Sequence, residues 1–158
     1  TSVGRRLAAS LGWPFVDLDA EIEKLAGESV REIFDRAGEG RFRELEAHVL
    51  AEAMRQDPVV VATGGGTLTF PRNLAAARAA GLVVWLNPAF ATLTRRVGGR
   101  GKEDRPLFRD EATVLALYRE RLPAYALADV KVDVAPGESV EEVAARVGLL
   151  VAERTCNT

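Results

Sequence analysis

Two carboxylates, a run of three glycines and a series of arginines are the parts of this sequence that could do chemistry. Asp17 and Asp19 stand two apart behind a short apolar run, and in extended backbone that spacing sends both side chains the same way. Two carboxylates side by side suit a cation and a hydroxyl; the competing meaning is that Asp19 only caps the helix that follows. Gly64, Gly65 and Gly66 come after a β-rich run. Without side chains they leave backbone N–H groups bare, so a substrate can lie directly against the chain, whereas the bland meaning is a flexible turn. Arg43 and Glu46 share a helical face at i and i+3, a spacing that most often marks a surface ion pair. Arg105 and Arg121, with Arg95 and Arg96 ahead of them, carry planar forks matched to carboxylate or phosphate oxygens. Several of them converging would suit a doubly anionic reaction site. His48, the one histidine, falls inside a helix away from the strand ends and is given no catalytic role.

These side chains need elements to position them. In open α/β sheets ligands collect beyond the carboxyl ends of the strands. Short β-rich runs alternate here with longer amphipathic ones, with no linker, repeat or low-complexity block between them, which predicts an α/β fold with a parallel sheet. Residues 2–11 put Val3, Leu7, Ala8 and Leu11 on one helical face and stop at Gly12. A strand over 14–17 leads to a helix over 19–26 that stops at Gly27. Ser29 with Glu32 is a capping-box pattern that opens another helix through Ile33 and Phe34, and a third runs over 42–56. Residues 59–62 have the uninterrupted apolar character of a strand covered on both faces, and they run into the glycine triplet. A helix over 71–80 stops at Gly81, a strand occupies 82–86, and Asn87-Pro88 is placed to open a helix reaching Val97. Residues 98–110 lack any period and are dense in charge, which reads as a lid. Asp110 caps a helix to about Leu122, 130–134 is the last strand, and Ser139 with Glu142 is a second capping box before the final helix.

Composition bounds the rest. At 158 residues and 47% apolar content, a single domain over 1–158 is expected. The 21 basic and 23 acidic residues give a net charge of -2, and aromatics are 6%. No overall field therefore draws the chain to nucleic acid or to an anionic membrane, and any functional positive charge must be local. No apolar stretch approaches the ~20 residues that span a bilayer, and the first residues lack a signal-peptide layout. A single thiol, Cys156, cannot form an internal disulfide. A cytoplasmic protein is expected, and, with no apolar surface stripe, a monomer.

The fragments fall into an order. Thr1-Ser2-Val3-Gly4-Arg5-Arg6-Leu7-Ala8 is followed by Phe15-Val16-Asp17-Leu18-Asp19, Ile33-Phe34, Gly38-Glu39 and Phe42-Arg43-Glu44-Leu45-Glu46. The glycine triplet, Arg105-Pro106-Leu107 and Arg121-Leu122-Pro123-Ala124-Tyr125 complete it. This series resembles shikimate kinase over essentially the whole sequence, and the joint order is far more specific than any one motif. The resemblance implies a P-loop kinase of the nucleoside-monophosphate-kinase type, with a parallel sheet in strand order 2-3-1-4-5 flanked by helices. The implied reaction moves the terminal phosphoryl of ATP onto a hydroxyl of shikimate, giving shikimate 3-phosphate in aromatic amino acid biosynthesis.

Site roles follow from the same resemblance. Thr1 matches the hydroxyl that ligates Mg²⁺, and Asp17 the carboxylate that holds the ion's shell. Asp19 matches the carboxylate that contacts the accepting hydroxyl, to orient it or take its proton. Arg43, Gly64, Gly65, Gly66 and Arg121 match the shikimate contacts, the two arginines pairing with the substrate carboxylate. Arg105 matches a lid arginine that reaches phosphate, and Arg96 a residue on the adenine side of ATP. Phe34, Phe42 and Glu46 match positions around the acid, Glu46 orienting Arg43. In such kinases a strand and a Gly-rich loop ending in Gly-Lys stand just before the position of Thr1. This first, central strand is outside the sequence, which is therefore expected to be a fragment. Gly101-Lys102-Glu103-Asp104 makes the lid longer than the family minimum. The competing readings are another small-molecule kinase of this fold, such as a gluconate kinase, and a non-catalytic domain that binds shikimate without ATP.

Overall fold

The computed structural model describes residues 1–90, 92–93 and 111–155. Helix α1 (Ser2–Leu11) buries Leu7 and Ala8 and ends where Gly12 takes left-handed backbone at φ 68°, ψ 26°, which a residue with a Cβ adopts only at a cost. Strand β1 (Phe15–Asp17) follows, then α2 (Leu18–Ala26), stopped by a second left-handed glycine, Gly27. The expected capping box closes: Ser29 N–H donates to Glu32 Oε2 at 2.7 Å, and Glu32 N–H to Ser29 Oγ at 3.3 Å. It opens α3 (Val30–Ala53), in which the two helices expected separately run on through non-helical backbone at Gly38 (φ 78°, ψ 174°). That break resets the helical phase, so the residues after it need not share a face with those before. The helix stops at Ala53, short of residue 56, and the chain leaves it through tighter turns in which Arg55 N–H donates to Glu52 O at 3.2 Å and Gln56 N–H to Ala53 O at 3.1 Å.

Strand β2 (Val60–Ala62), a 3₁₀ turn (Thr67–Thr69), α4 (Pro71–Ala80) and β3 (Val84–Pro88) come next, followed by α5 (Glu111–Tyr125), β4 (Val130–Val134) and α6 (Val140–Thr155). A helix does follow β3, with residues 90, 92 and 93 helical and Leu93 N–H donating to Ala89 O at 3.2 Å, but Asn87 and Pro88 are not its cap and first turn. They extend β3 opposite Asp133 and Val134, and the Asn87 amide donates to Asp133 Oδ1 at 2.6 Å. Cross-strand pairing outweighs the capping tendency, and a proline at a strand end sacrifices little. Helix α5 also passes its expected end at Leu122, accommodating Pro123 in its last turn and reaching Tyr125.

Strands β1 and β2 pair in parallel from Phe15 opposite Val60 to Asp17 opposite Ala62, and β3 and β4 from Val84 opposite Val130 to Pro88 opposite Val134. These are two two-stranded sheets, so among the described residues the sheet has four strands in two pairs. The order 2-3-1-4-5 has the same neighbours on either side of its central position. Each pair has its own core. Leu18, Ile22, Ile33 and Leu50 pack under β1 and β2, whereas Leu7, Val132, Val143 and Val147 pack between α1, β4 and α6. Helix α1 touches both halves: a Cβ at Gly4 would lie 3.1 Å from Phe15 Cε2 and 3.7 Å from Ala62 Cβ, while Leu7 belongs to the second core. Among the described residues no helix is long and apolar enough to cross a membrane. The lid over 98–110 with Arg105, and Arg95, Arg96 and Cys156, lie outside the described residues.

Candidate active site

The glycine triplet emerges just past the carboxyl end of β2, and its carbonyls are all tied. Gly64 O accepts from Thr67 N–H at 3.2 Å and Gly65 O from the Tyr125 hydroxyl at 2.8 Å. Gly66 O accepts from Thr69 N–H at 3.2 Å and from the Thr69 hydroxyl at 2.7 Å. Among the described residues, no hydrogen bond engages the three N–H groups. The loop is thus held by its acceptors while its donors stay available to a ligand.

Against Gly66 lies Arg43. Its Nη1 donates to Glu46 Oε2 at 2.8 Å, and its Nε and Nη2 donate to Glu39 Oε1 at 3.2 and 3.0 Å. The Phe42 and Phe70 rings each have their centroid 5.2 Å from its Cζ, within cation–π range. A Cβ at Gly66 would stand 2.8 Å from both terminal nitrogens of Arg43, so only glycine lets the guanidinium lie on the loop. The two side chains of the Arg43–Glu46 pair are 16% and 2% exposed, so a half-buried arginine is clamped by a buried carboxylate, which removes the surface-pair reading. Burial works against the Arg43 charge, but hydrogen bonds and charge from Glu46 and Glu39 outweigh it, so the pKa is raised. Three of the five guanidinium N–H groups are used in these bonds. One N–H remains on each terminal nitrogen, the fork that a carboxylate can meet with both oxygens.

Against Gly65 lie Arg121 and Tyr125, one helical turn apart on α5 and therefore on the same face. A Cβ at Gly65 would stand 3.1 Å from Arg121 Nη1 and 3.0 Å from the Tyr125 hydroxyl. The Tyr125 ring packs at a tilt on Trp85, centroids 5.7 Å apart. Burial raises the Tyr125 pKa, against the opposing pull of Arg121, so its hydroxyl keeps the proton it donates.

Asp19 lies against Gly64. Its Oδ1 is 3.6 Å from where a Cβ on Gly64 would stand, near Thr67 Oγ1 at 3.6 Å and Glu46 Oε1 at 3.9 Å. Asp19 is not the helix cap: Asp17 holds that position and Asp19 sits in the first turn of α2. The two carboxylates are therefore not a pair along one extended strand, because β1 ends at Asp17 and the helix begins at the next residue. What the spacing suggested about direction fails, yet Asp19, Arg121 and Arg43 still meet, one against each of three successive glycines.

Asp17 ends β1, and Thr1 caps α1, whose first turn rests on β1 and β2. Neither side chain makes a capping hydrogen bond, so both oxygens are left for other partners. Among the described residues no group of three or more His, Cys, Asp or Glu could cage a metal. A hydroxyl and a carboxylate suit a hard cation that keeps most of its water and takes few protein oxygens. Sequence reasoning did not single out Thr67, Phe70 or Asn73, and it named Tyr125 only as part of a motif. The i, i+4 spacing of Arg121 and Tyr125 was the available signal.

Comparison with known proteins bears on what this loop and its three partners belong to. The family model described as shikimate kinase matches residues 1–151. The chain belongs to the shikimate kinase family. A family member from Ruegeria pomeroyi is 43% identical over 98% of this chain and 80% of its own length. One from Geobacter sulfurreducens is 43% identical over 97% and 84%. Among solved members, shikimate kinase from Acinetobacter baumannii in complex with shikimate aligns with a TM-score of 0.89 at 31% identity, covering 96% of this chain and 86% of that one. The Aquifex aeolicus member aligns at 0.81 and 31% over 99% and 91%. The α/β fold, with parallel strands flanked by helices, is that of these P-loop kinases.

Proposed function

We propose that this chain is a shikimate kinase, which transfers the terminal phosphoryl of ATP to a hydroxyl of shikimate as a step in aromatic amino acid biosynthesis. Family membership supports the reaction class, with ATP as donor. The choice of acceptor is carried by one observation: two arginines and one carboxylate surround three successive glycines whose N–H groups are available. A small ring bearing a carboxylate and several hydroxyls needs this set, and the Acinetobacter baumannii relative solved with shikimate supports the same class of ligand.

In this reading Arg43 and Arg121 hold the acceptor's carboxylate through charge-assisted bonds. Arg43 is already fixed by Glu39, Glu46 and two aromatic rings, so little side-chain freedom is lost on binding. Gly64, Gly65 and Gly66 let the ring approach the backbone closely. Asp19 orients the accepting hydroxyl and takes its proton. Thr1 and Asp17 are the residues that would hold Mg²⁺, which when bound would offset the negative charge of the phosphate oxygens. Arg105 serves the phosphates and Arg96 the adenine side, and the lid over 98–110 closes to exclude water as a competing acceptor. The reading is of a single domain over 1–158, a monomer, in the cytoplasm.

The test is an acceptor panel on the full-length natural protein, with ADP release as readout and calorimetry for Mg²⁺-ATP. Turnover of shikimate and not of gluconate is expected, with binding heat from nucleotide. Turnover of gluconate alone would replace the acceptor, and shikimate binding without nucleotide heat would make the domain non-catalytic.

A further inference from the structure

Thr67 is the residue directly after the glycine triplet, and it is fully buried, at 0% exposure. A threonine hydroxyl in such a place costs desolvation that an isosteric valine would not, unless it makes a good hydrogen bond. It does: the hydroxyl donates to Glu46 Oε1 at 2.7 Å. The other oxygen of the same carboxylate, Oε2, accepts from Arg43 at 2.8 Å. The backbone of Thr67 is fixed on both sides, its N–H on Gly64 O at 3.2 Å and its carbonyl accepting from the buried Asn73 amide at 3.0 Å. The hydroxyl is therefore anchored to the glycine loop, and it grips Glu46 from the side opposite Arg43.

A carboxylate held at one oxygen can pivot about its own side-chain bonds, whereas one held at both has its plane set. Glu46 is 1% exposed, and no water surrounds it to supply a second donor in place of Thr67. The direction of the Arg43 fork is then set, beside its two bonds to Glu39, by a relay of three groups: the Thr67 hydroxyl, the Glu46 carboxylate and the guanidinium. We infer that Thr67 is a positioning residue, which through Glu46 sets the direction of the Arg43 fork and thereby the affinity for the acceptor's carboxylate. This rests on the proposed role of Arg43 as the carboxylate anchor. It adds a residue that touches neither substrate, and it makes the loop that cradles the acceptor also the part that aims the arginine.

Steady-state kinetics of the full-length natural protein separate the possibilities. Thr67→Val keeps the shape and deletes the donor, and it is expected to raise the shikimate KM about ten-fold while kcat and the ATP KM change by less than about two-fold. Thr67→Ser, which keeps the hydroxyl, is expected to stay within about two-fold of the natural protein. In an Arg43→Ala background Thr67→Val should add nothing, because the relay has lost its end. If Arg43→Ala alone leaves the shikimate KM unmoved, the reading of the site fails and the relay with it. If Arg43→Ala raises that KM but Thr67→Val does not, or if Thr67→Val adds its full increment to Arg43→Ala, the site reading stands and the relay is overturned. Should Thr67→Val not fold, Thr67→Ala is measured against the same criteria.

Discussion

Replacing Gly66 by alanine isolates one contact. The backbone there has φ -94°, ψ -20°, an ordinary helical conformation for any L-residue, so a methyl group brings no backbone strain. Its effect must come from space. The new Cβ would stand 2.8 Å from Nη1 and Nη2 of Arg43 and 3.1 Å from Cζ, whereas ordinary contact begins near 3.5 Å. The guanidinium must therefore withdraw by roughly 0.7 Å. It cannot do so freely, because Glu46 and Glu39 hold three of its N–H groups and two rings flank it. Either the 2.8 Å bond to Glu46 lengthens or the fork turns away from the acceptor. A disturbed hydrogen bond between charged groups is worth about 1.5–3 kcal/mol. That corresponds to a rise of roughly ten- to a hundred-fold in the shikimate KM. ADP-release kinetics with each substrate varied in turn should show this rise with the ATP KM within about two-fold, since the perturbation is confined to the acceptor side. A Gly66→Ala enzyme whose shikimate KM matches the natural one, with the melting temperature also unmoved, would refute the close approach on which the assignment of Arg43 depends.

Other outcomes follow from the same geometry. Asp19→Asn should lower kcat by about 10²–10⁴-fold, the usual contribution of a positioned general base, while calorimetry finds ATP binding intact; near-normal kcat would reduce Asp19 to a first-turn helix residue. Arg121→Ala should act mainly on shikimate affinity, raising its KM by about ten-fold or more with a smaller effect on kcat. Tyr125→Phe removes the donor to Gly65 O and should raise the shikimate KM by a few-fold, roughly the worth of one neutral hydrogen bond. Burial holds the Tyr125 pKa above its unfolded value, so the unfolded chain releases that proton first. The stability this group contributes is present below the ordinary tyrosine pKa of about 10 and is lost as pH rises through the raised folded value. Melting curves across that alkaline window should fall more steeply for the natural protein than for Tyr125→Phe, and parallel curves would count against the partly buried ring and its hydroxyl.

Much of the fold could be read along the chain, because local rules govern helix ends and buried strands. Gly12 and Gly27 stop their helices in left-handed backbone, the two Ser-x-x-Glu boxes close, and the apolar runs form parallel strands. The errors came where a distant partner outbid a local preference. Asn87 and Pro88 look like a cap and a first-turn proline, but β4 lies alongside and pairs with them. Pro123 looks like a stop, but α5 absorbs it near its end and so brings Tyr125 to Gly65. Asp17 and Asp19 look like a strand pair, yet a helix starts between them.

Residue types and their order were enough to name the family and to put forward Asp19, Arg43, Arg121 and the glycine triplet as the proposed site, because chemical groups are written into the chain directly. Which glycine each side chain meets, that Glu46 is buried and Arg43 half-buried against it, and that Thr67 holds the far oxygen of Glu46 were decided only in three dimensions. Those facts depend on contacts between residues far apart in the chain, Glu46 with Thr67 and Gly65 with Tyr125. Spacing in sequence constrains direction within one helix or strand, but it carries no information about which element folds against which.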